Sequence, residues 1–306
     1  MVLLYVLAAV TLGLCAFNRL LPAQAAQLGI SLERRRAGLS ARRGSLPYLE
    51  GGNGPEVLVL LHGFGADKDN FTRIAAWLAP HYRVIIPDLP GFGEARRDAS
   101  AKHDVAQQVE NLRAFLGELG VQRFHLGGNS MGGFIACEYA ARHPAQVASL
   151  WLLDAAGTDA AWQVPVFQHY MATGETPLLV RDPRAMRDLI GLCMYRQPWL
   201  PYCLLHQLAR RAVADYPLHA QIMREVVHSP TLSKRIDTPA LIVWGKEDRL
   251  LNPQAAGAMK ALMPDSEVVL MEGIGHVPML EAPGRTARDF LAFQRRLSER
   301  QAEAAA

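Results

Sequence analysis

Residues Gly128 to Gly132 read G-N-S-M-G and stand between an apolar, strand-like run, FHLGG (124–128), and a helix-like run, MGGFIACEYAARHP. No loop separates the two. A chain that passes from strand to helix in so few residues must turn sharply, and small residues on both sides of the serine permit it. Such a turn lifts Ser130 above the strand end in a strained conformation. It also starts a helix at Met131, whose first N–H groups have no partner inside the helix. The flanking pattern limits which fold can carry this turn. The runs EVLVLL (56–61), YRVIIPD (82–88), SLWLLD (149–154), ALIVWG (240–245) and EVVLME (267–272) are aliphatic and bounded by turn residues. Amphipathic stretches lie between them, such as the one carrying Val105, Val109, Leu112, Leu116 and Leu119 at helical spacing. Continuous apolar strands separated by helices predict an α/β fold with a mostly parallel central sheet covered by helices on both faces. Ligands bind beyond the carboxyl ends of such strands, so chemistry is expected in the residues just after each one.

A serine hydroxyl is a weak nucleophile and needs a base within hydrogen-bond reach, itself oriented by a carboxylate. Among ten histidines, His276 in EGIGHVPMLEAP follows a strand, sits among Gly and Pro residues that shape a loop, and comes after Ser130 in the chain. Asp248 in LIVWGKEDRLL is the expected carboxylate, with Glu247 beside it and Asp154 at the end of LWLLD as rivals. Acyl transfer also needs two preorganised donors for a tetrahedral oxyanion, each worth about 3 kcal/mol of barrier. The N–H of Met131 is one expected donor. The second is expected from LHGFG (61–65), where Gly63 and Gly65 let the backbone present the Phe64 N–H to Ser130.

The segments HGFGADKDNF, DLPGFG (88–93), GNSMGG, WGKEDRLL and GIGHVPMLEAP resemble the α/β-hydrolase superfamily, in order and over residues 45–295. They look most like its monoacylglycerol lipase branch and the membrane-anchored bacterial lipases and phospholipases A. That resemblance implies an α/β-hydrolase fold, a Ser130–His276–Asp248 triad, an acyl-enzyme and no cofactor or metal. GNSMGG also resembles hydrolases that cleave C–C bonds in ring-fission products. Dehalogenases and epoxide hydrolases resemble this fold but carry Asp where Ser130 stands. Residues 156–231 break the strand–helix alternation and resemble the helical cap of these enzymes, with 45–155 and 232–306 as the core. Trp162, Phe167, Leu179, Met194 and Trp199 are expected to line an acyl-chain pocket under that cap.

The first 17 residues, MVLLYVLAAVTLGLCAF, form an apolar run at the lower limit for spanning a bilayer. Residues 1–21 are expected to be a retained transmembrane anchor. A signal peptide is the alternative, favoured by AQA at 23–25 and opposed by the missing basic n-region. Residues 22–44 are expected to be a basic juxtamembrane segment suited to anionic lipid headgroups. Residues 1–44 hold six arginines and one glutamate, so with a net charge of +3 for the chain the body carries about −2. Nucleic acid is therefore not an expected partner. Arg-rich flanks place a body in the cytoplasm, whereas the resemblance to exported bacterial lipases places it in the periplasm, and the latter is the expectation here. Ala9 and Gly13, four apart, would let two anchors approach as a homodimer. The four cysteines lack metal or redox spacing. Anchor, basic segment and apolar cap together predict a lipid ester as substrate. The alternatives are a small-ester or C–C hydrolase and a non-catalytic lipid-binding protein.

Overall fold

The computed structural model describes residues 27–305. The expected anchor, the Ala9/Gly13 pair and Cys15 lie outside the described residues. Among the described residues no helix is long and apolar enough to cross a membrane.

Eight strands form one sheet in the order β1-β2-β4-β3-β5-β6-β7-β8. They are β1 (Leu39–Arg43), β2 (Pro47–Gly51), β3 (Glu56–Leu61), β4 (Tyr82–Pro87), β5 (Phe124–Asn129), β6 (Val147–Leu153), β7 (Ala240–Gly245) and β8 (Ser266–Met271). The strands from β3 onward pair in parallel, while β1 and β2 add an antiparallel edge. The apolar runs are continuous because alternate side chains serve opposite faces. In β3, Val59 and Leu61 join one core and Leu58 and Leu60 the other. The first core packs against α2 (Val105–Glu118) and α3 (Met131–Arg142), the second against α1 (Thr72–Leu78) and α10 (Pro283–Ala305). Trp151 of β6 stacks on Phe290 of α10 with ring centroids 4.3 Å apart, which anchors the long C-terminal helix to the sheet.

Between β6 and β7 stand four helices in place of one crossover: α4 (Pro165–Thr173), α5 (Pro183–Cys193), α6 (Tyr202–Ala214) and α7 (Tyr216–Val227). After β7 and β8 come α8 (Ala255–Leu262) and the short α9 (Pro278–Glu281).

The described part of the expected juxtamembrane segment is folded onto the body. Residues 27–36 are helical, and Arg34 grips Asp69 through two hydrogen bonds of 2.7 and 2.6 Å. Leu39–Arg43 pairs with Pro47–Gly51, so the sheet starts six residues before the boundary expected at 45. Backbone pairing and buried Leu39 outweigh the exposed arginines of this strand.

Candidate active site

Ser130 immediately follows β5, with φ 55° and ψ −118°. Only Ser130 and Asp154 combine a side chain with positive φ among the described residues. That strain of roughly 1–3 kcal/mol persists because the surroundings hold it. The Ser130 N–H donates to Leu153 O (3.1 Å), and Ser130 O accepts from the N–H groups of Phe134 (3.1 Å) and Ala156 (3.0 Å). The motif glycines permit the turn by touching each other. A Cβ on Gly128 would lie 2.3 Å from Gly132 C, and one on Gly132 would lie 2.3 Å from Leu61 O.

The loop after β8 carries His276, buried at 3% exposure, and the loop after β7 carries Asp248. His276 Nδ1–H donates to Asp248 Oδ2 at 2.8 Å. Asp248 Oδ2 also accepts from Trp244 Nε1 (3.1 Å), and its Oδ1 accepts from the N–H groups of Leu250 (2.8 Å) and Leu251 (3.0 Å). These four donors hold the carboxylate in one orientation. Nε2 of the same ring is left free to take a proton. Neither rival acid contacts His276 in this way: Glu247 accepts from Ile274 N–H and Asp154 from Gly245 N–H. Two further bonds fix the His276 backbone. Its N–H donates to Cys193 O at the end of α5 (2.7 Å), and its O accepts from Asn129 Nδ2 (3.0 Å). Glu281 accepts from Gly275 N–H and Tyr195 N–H, tying the same loop to the segment after α5.

The loop after β3 lies against the turn, for a Cβ on Gly63 would sit 3.2 Å from Ser130 Cβ. Phe64 and Met131 have backbone N–H groups with no intramolecular acceptor among the described residues. His62 aims the first of them. Its Nδ1–H donates to Gly63 O (2.8 Å), while its Nε2 accepts from Leu89 N–H (3.0 Å). In a trans peptide C=O and N–H point in opposite directions, so holding Gly63 O turns the Phe64 N–H away from His62. The Phe64 ring packs edge-on against Phe92 and against His219 of α7. Behind this loop, buried Lys68 pairs with Asp88 at 2.7 Å and with Glu94 at 3.2 Å. Gly93 is needed there because a Cβ would meet the Asp88 carboxyl at 2.2 Å.

Burial pushes the His62 ring below its ordinary pKa of 6.5. Its neutral form accepts from Leu89, which a protonated ring cannot do. A depressed folded-state pKa means that the unfolded chain binds the proton first. His62 therefore stabilises the fold above about pH 6.5, and that contribution is lost as pH falls below it. Denaturant unfolding between pH 8 and 5 is expected to give a stability that declines with acid, less steeply in His62→Phe. The same variant frees Gly63 O, and its kcat is expected to drop about 10²-fold.

The residues expected to line an acyl pocket separate. Trp162 and Phe167 pack edge-on at 4.5 Å, and Leu179 is buried in the same core. Met194 joins the core on the other sheet face. Trp199 departs from expectation: it stands 85% exposed. It sits between Pro198 and Pro201 in a segment without regular structure, which keeps the chain from turning it inward. Cys193 and Cys203 are unpaired.

Sequence reading missed the bonds made by Asn129, Trp244, Cys193 and Glu281, because their partners are remote in the chain. Asp154, Asp248 and His276 together have the donor types for a metal ion. Yet Nδ1 of His276 and both Asp248 oxygens are already engaged in the hydrogen bonds described above. A second serine–histidine pair, Ser149 and His125 at 2.8 Å, lies near the amino ends of the strands. Ser149 is fully buried and accepts from Gln294, which suits packing.

A nucleophile at a strained turn, an oriented imidazole and two free N–H donors at one end of the sheet can together carry out acyl transfer. The sequence and fold have counterparts. Residues 58–289 match the model of the family described as "Alpha/beta hydrolase family". Lipase 1 of Psychrobacter immobilis is 37% identical over 254 residues, covering 81% of this chain and 80% of that protein. Monoacylglycerol lipase ABHD6 of Homo sapiens is 30% identical over 258 residues, covering 79% and 76%. The crystal structure of a membrane phospholipase A, described as a novel bacterial virulence factor, superposes with a TM-score of 0.85 at 41% identity, covering 95% of this chain and 96% of that one.

Proposed function

We propose that this chain, which belongs to the alpha/beta hydrolase family, is a serine hydrolase that cleaves carboxyl-ester bonds of lipids. The observation that carries the reading is the 2.8 Å bond from His276 Nδ1 to Asp248 Oδ2, at the same end of the sheet as strained Ser130. Ser130 Oγ attacks the ester carbonyl as His276 Nε2 takes its proton, and the new imidazolium is stabilised by Asp248. The oxyanion accepts hydrogen bonds from the Phe64 and Met131 N–H groups. His276 then protonates the leaving alcohol. Water, activated by the same ring, releases the fatty acid from the acyl-enzyme.

Lipid as the acyl donor is supported by the relatives, two of them named lipases and one a membrane phospholipase A. Residues 156–231 would cover the site as a lid. In this reading residues 1–21 hold the enzyme at a membrane, with the catalytic body on the periplasmic side.

Full-length protein in detergent, offered phosphatidylethanolamine, lysophospholipid, monoacylglycerol and p-nitrophenyl butyrate, is expected to release fatty acid from at least one of the lipids. Turnover of the soluble ester alone would remove the lipid assignment. Turnover of none would remove ester chemistry and bring the C–C hydrolase and lipid-binding readings forward.

A further inference from the structure

Directly behind Asp248 stands a second carboxyl group that the catalytic scheme does not use. Asp154 immediately follows β6, with φ 45°, and is fully buried. Its Oδ1 accepts from Gly245 N–H at 2.8 Å, while its Oδ2 is sealed from solvent and has no partner if the group is a carboxylate. Asp154, Asp248 and His276 each place a polar atom within 4.8 Å of the other two. Two buried carboxylates this close do not both ionise. The four hydrogen bonds into Asp248 decide which one keeps its charge, against one into Asp154.

We propose that Asp154 is a neutral carboxylic acid whose Oδ2–H donates to Asp248, making it a positioning residue for the carboxylate that orients His276. The proton satisfies the orphan oxygen and removes the like-charge contact in one step. It also draws charge from Asp248, which moderates how strongly that carboxylate stabilises protonated His276. Burial, and after it the Asp248 charge, hold the Asp154 carboxyl well above the ordinary carboxylate range. The other titratable groups around the cluster are Glu281 on α9, Cys193 at the end of α5, and Glu247 and Arg249 beside Asp248. Glu281 and Glu247 are engaged by backbone N–H groups and Arg249 by the carbonyls of Gly191 and Met194.

The inference rests on the triad proposed above, and the test separates the two. The pH profile of kcat/KM on p-nitrophenyl butyrate is measured for the full-length protein and for Asp154→Asn, Asp154→Val, Ser130→Ala and Asp248→Asn. Asp154→Val removes the donor, so kcat is expected to fall at least about tenfold with little change in KM. Its acid limb should move up by about half a unit, because an undamped Asp248 favours protonated His276. Asn keeps an N–H donor and a carbonyl acceptor in the same places, and is expected to restore most of the rate and the original acid limb. A limb moving to lower pH in Asp154→Asn would mean that a negative charge had been removed, and would overturn the proposal. So would an Asp154→Val enzyme that behaves like the unaltered one. If the Val protein does not fold, infrared spectra decide. The carbonyl stretch of a buried un-ionised carboxyl should be present in the unaltered protein and absent from Asp154→Asn, and its absence from the former would overturn the proposal. Full activity in Ser130→Ala or Asp248→Asn would instead remove the triad itself.

Discussion

Ester hydrolysis by the Ser130→Ala protein is expected to fall by about 10⁴- to 10⁶-fold in kcat, with KM and the folded structure little changed. In the proposed mechanism the serine oxygen supplies the bond that forms in the first step, and nothing else in that scheme replaces it. His276 and Asp248 keep their 2.8 Å contact in the variant, since Ser130 Oγ hydrogen-bonds to neither of them. The small residual rate would come from the Phe64 and Met131 donors acting on a water-borne reaction. A fluorophosphonate probe provides an independent check. It should label the unaltered chain on the peptide carrying Ser130 and leave the variant unlabelled. Labelling elsewhere, with activity retained, would place the nucleophile at another residue. Stability separates the chemistry from the turn. Alanine keeps the Cβ that makes φ 55° costly, whereas Ser130→Gly relieves it and should be more stable than Ser130→Ala by about 1 kcal/mol.

The Gly132→Ala protein is expected to lose at least about 3 kcal/mol of unfolding free energy, and with it most activity. The added methyl would lie 2.3 Å from Leu61 O and 2.6 Å from His62 O. Both obstacles are backbone, so no side chain can rotate aside. The start of α3 must move away from the end of β3, which separates the Met131 and Phe64 N–H groups proposed to converge on one oxygen. Gly117→Ala serves as the control. That glycine lies exposed within α2 with nothing within 4 Å of a Cβ, and alanine there should stabilise by roughly 0.5–1 kcal/mol. Chemical denaturation of both proteins checks the pair. Equal stability of Gly132→Ala and the unaltered chain would mean that this close approach is not what shapes the turn.

The residues proposed for chemistry were readable one motif at a time because each follows its own strand. FHLGG before Ser130, ALIVWG before Asp248 and EVVLME before His276 all announce a strand end, where a parallel sheet gathers its functional groups. The same locality explains two departures. Trp199 carries the apolar surface expected of a pocket wall, but it stands exposed between two prolines. Leu39–Arg43 reads as the end of a basic juxtamembrane segment, yet its backbone pairs at the open sheet edge beside β2. Charge composition says little about a strand whose outer face meets water.

Local order along the chain was sufficient for the α/β class, the turn at Ser130 and the choice of His276 and Asp248 as the residues proposed here for chemistry, since strand periodicity and turn chemistry act over a few residues. It was insufficient for the environment around those groups. Asn129 reaches His276 across 147 positions, and Gly245 reaches Asp154 across 91. A hydrogen bond between such distant residues leaves no periodic trace in either segment. Only packing of the sheet brings a second carboxyl group up to Asp248, and only the hydrogen bonds that this packing sets up distinguish the two.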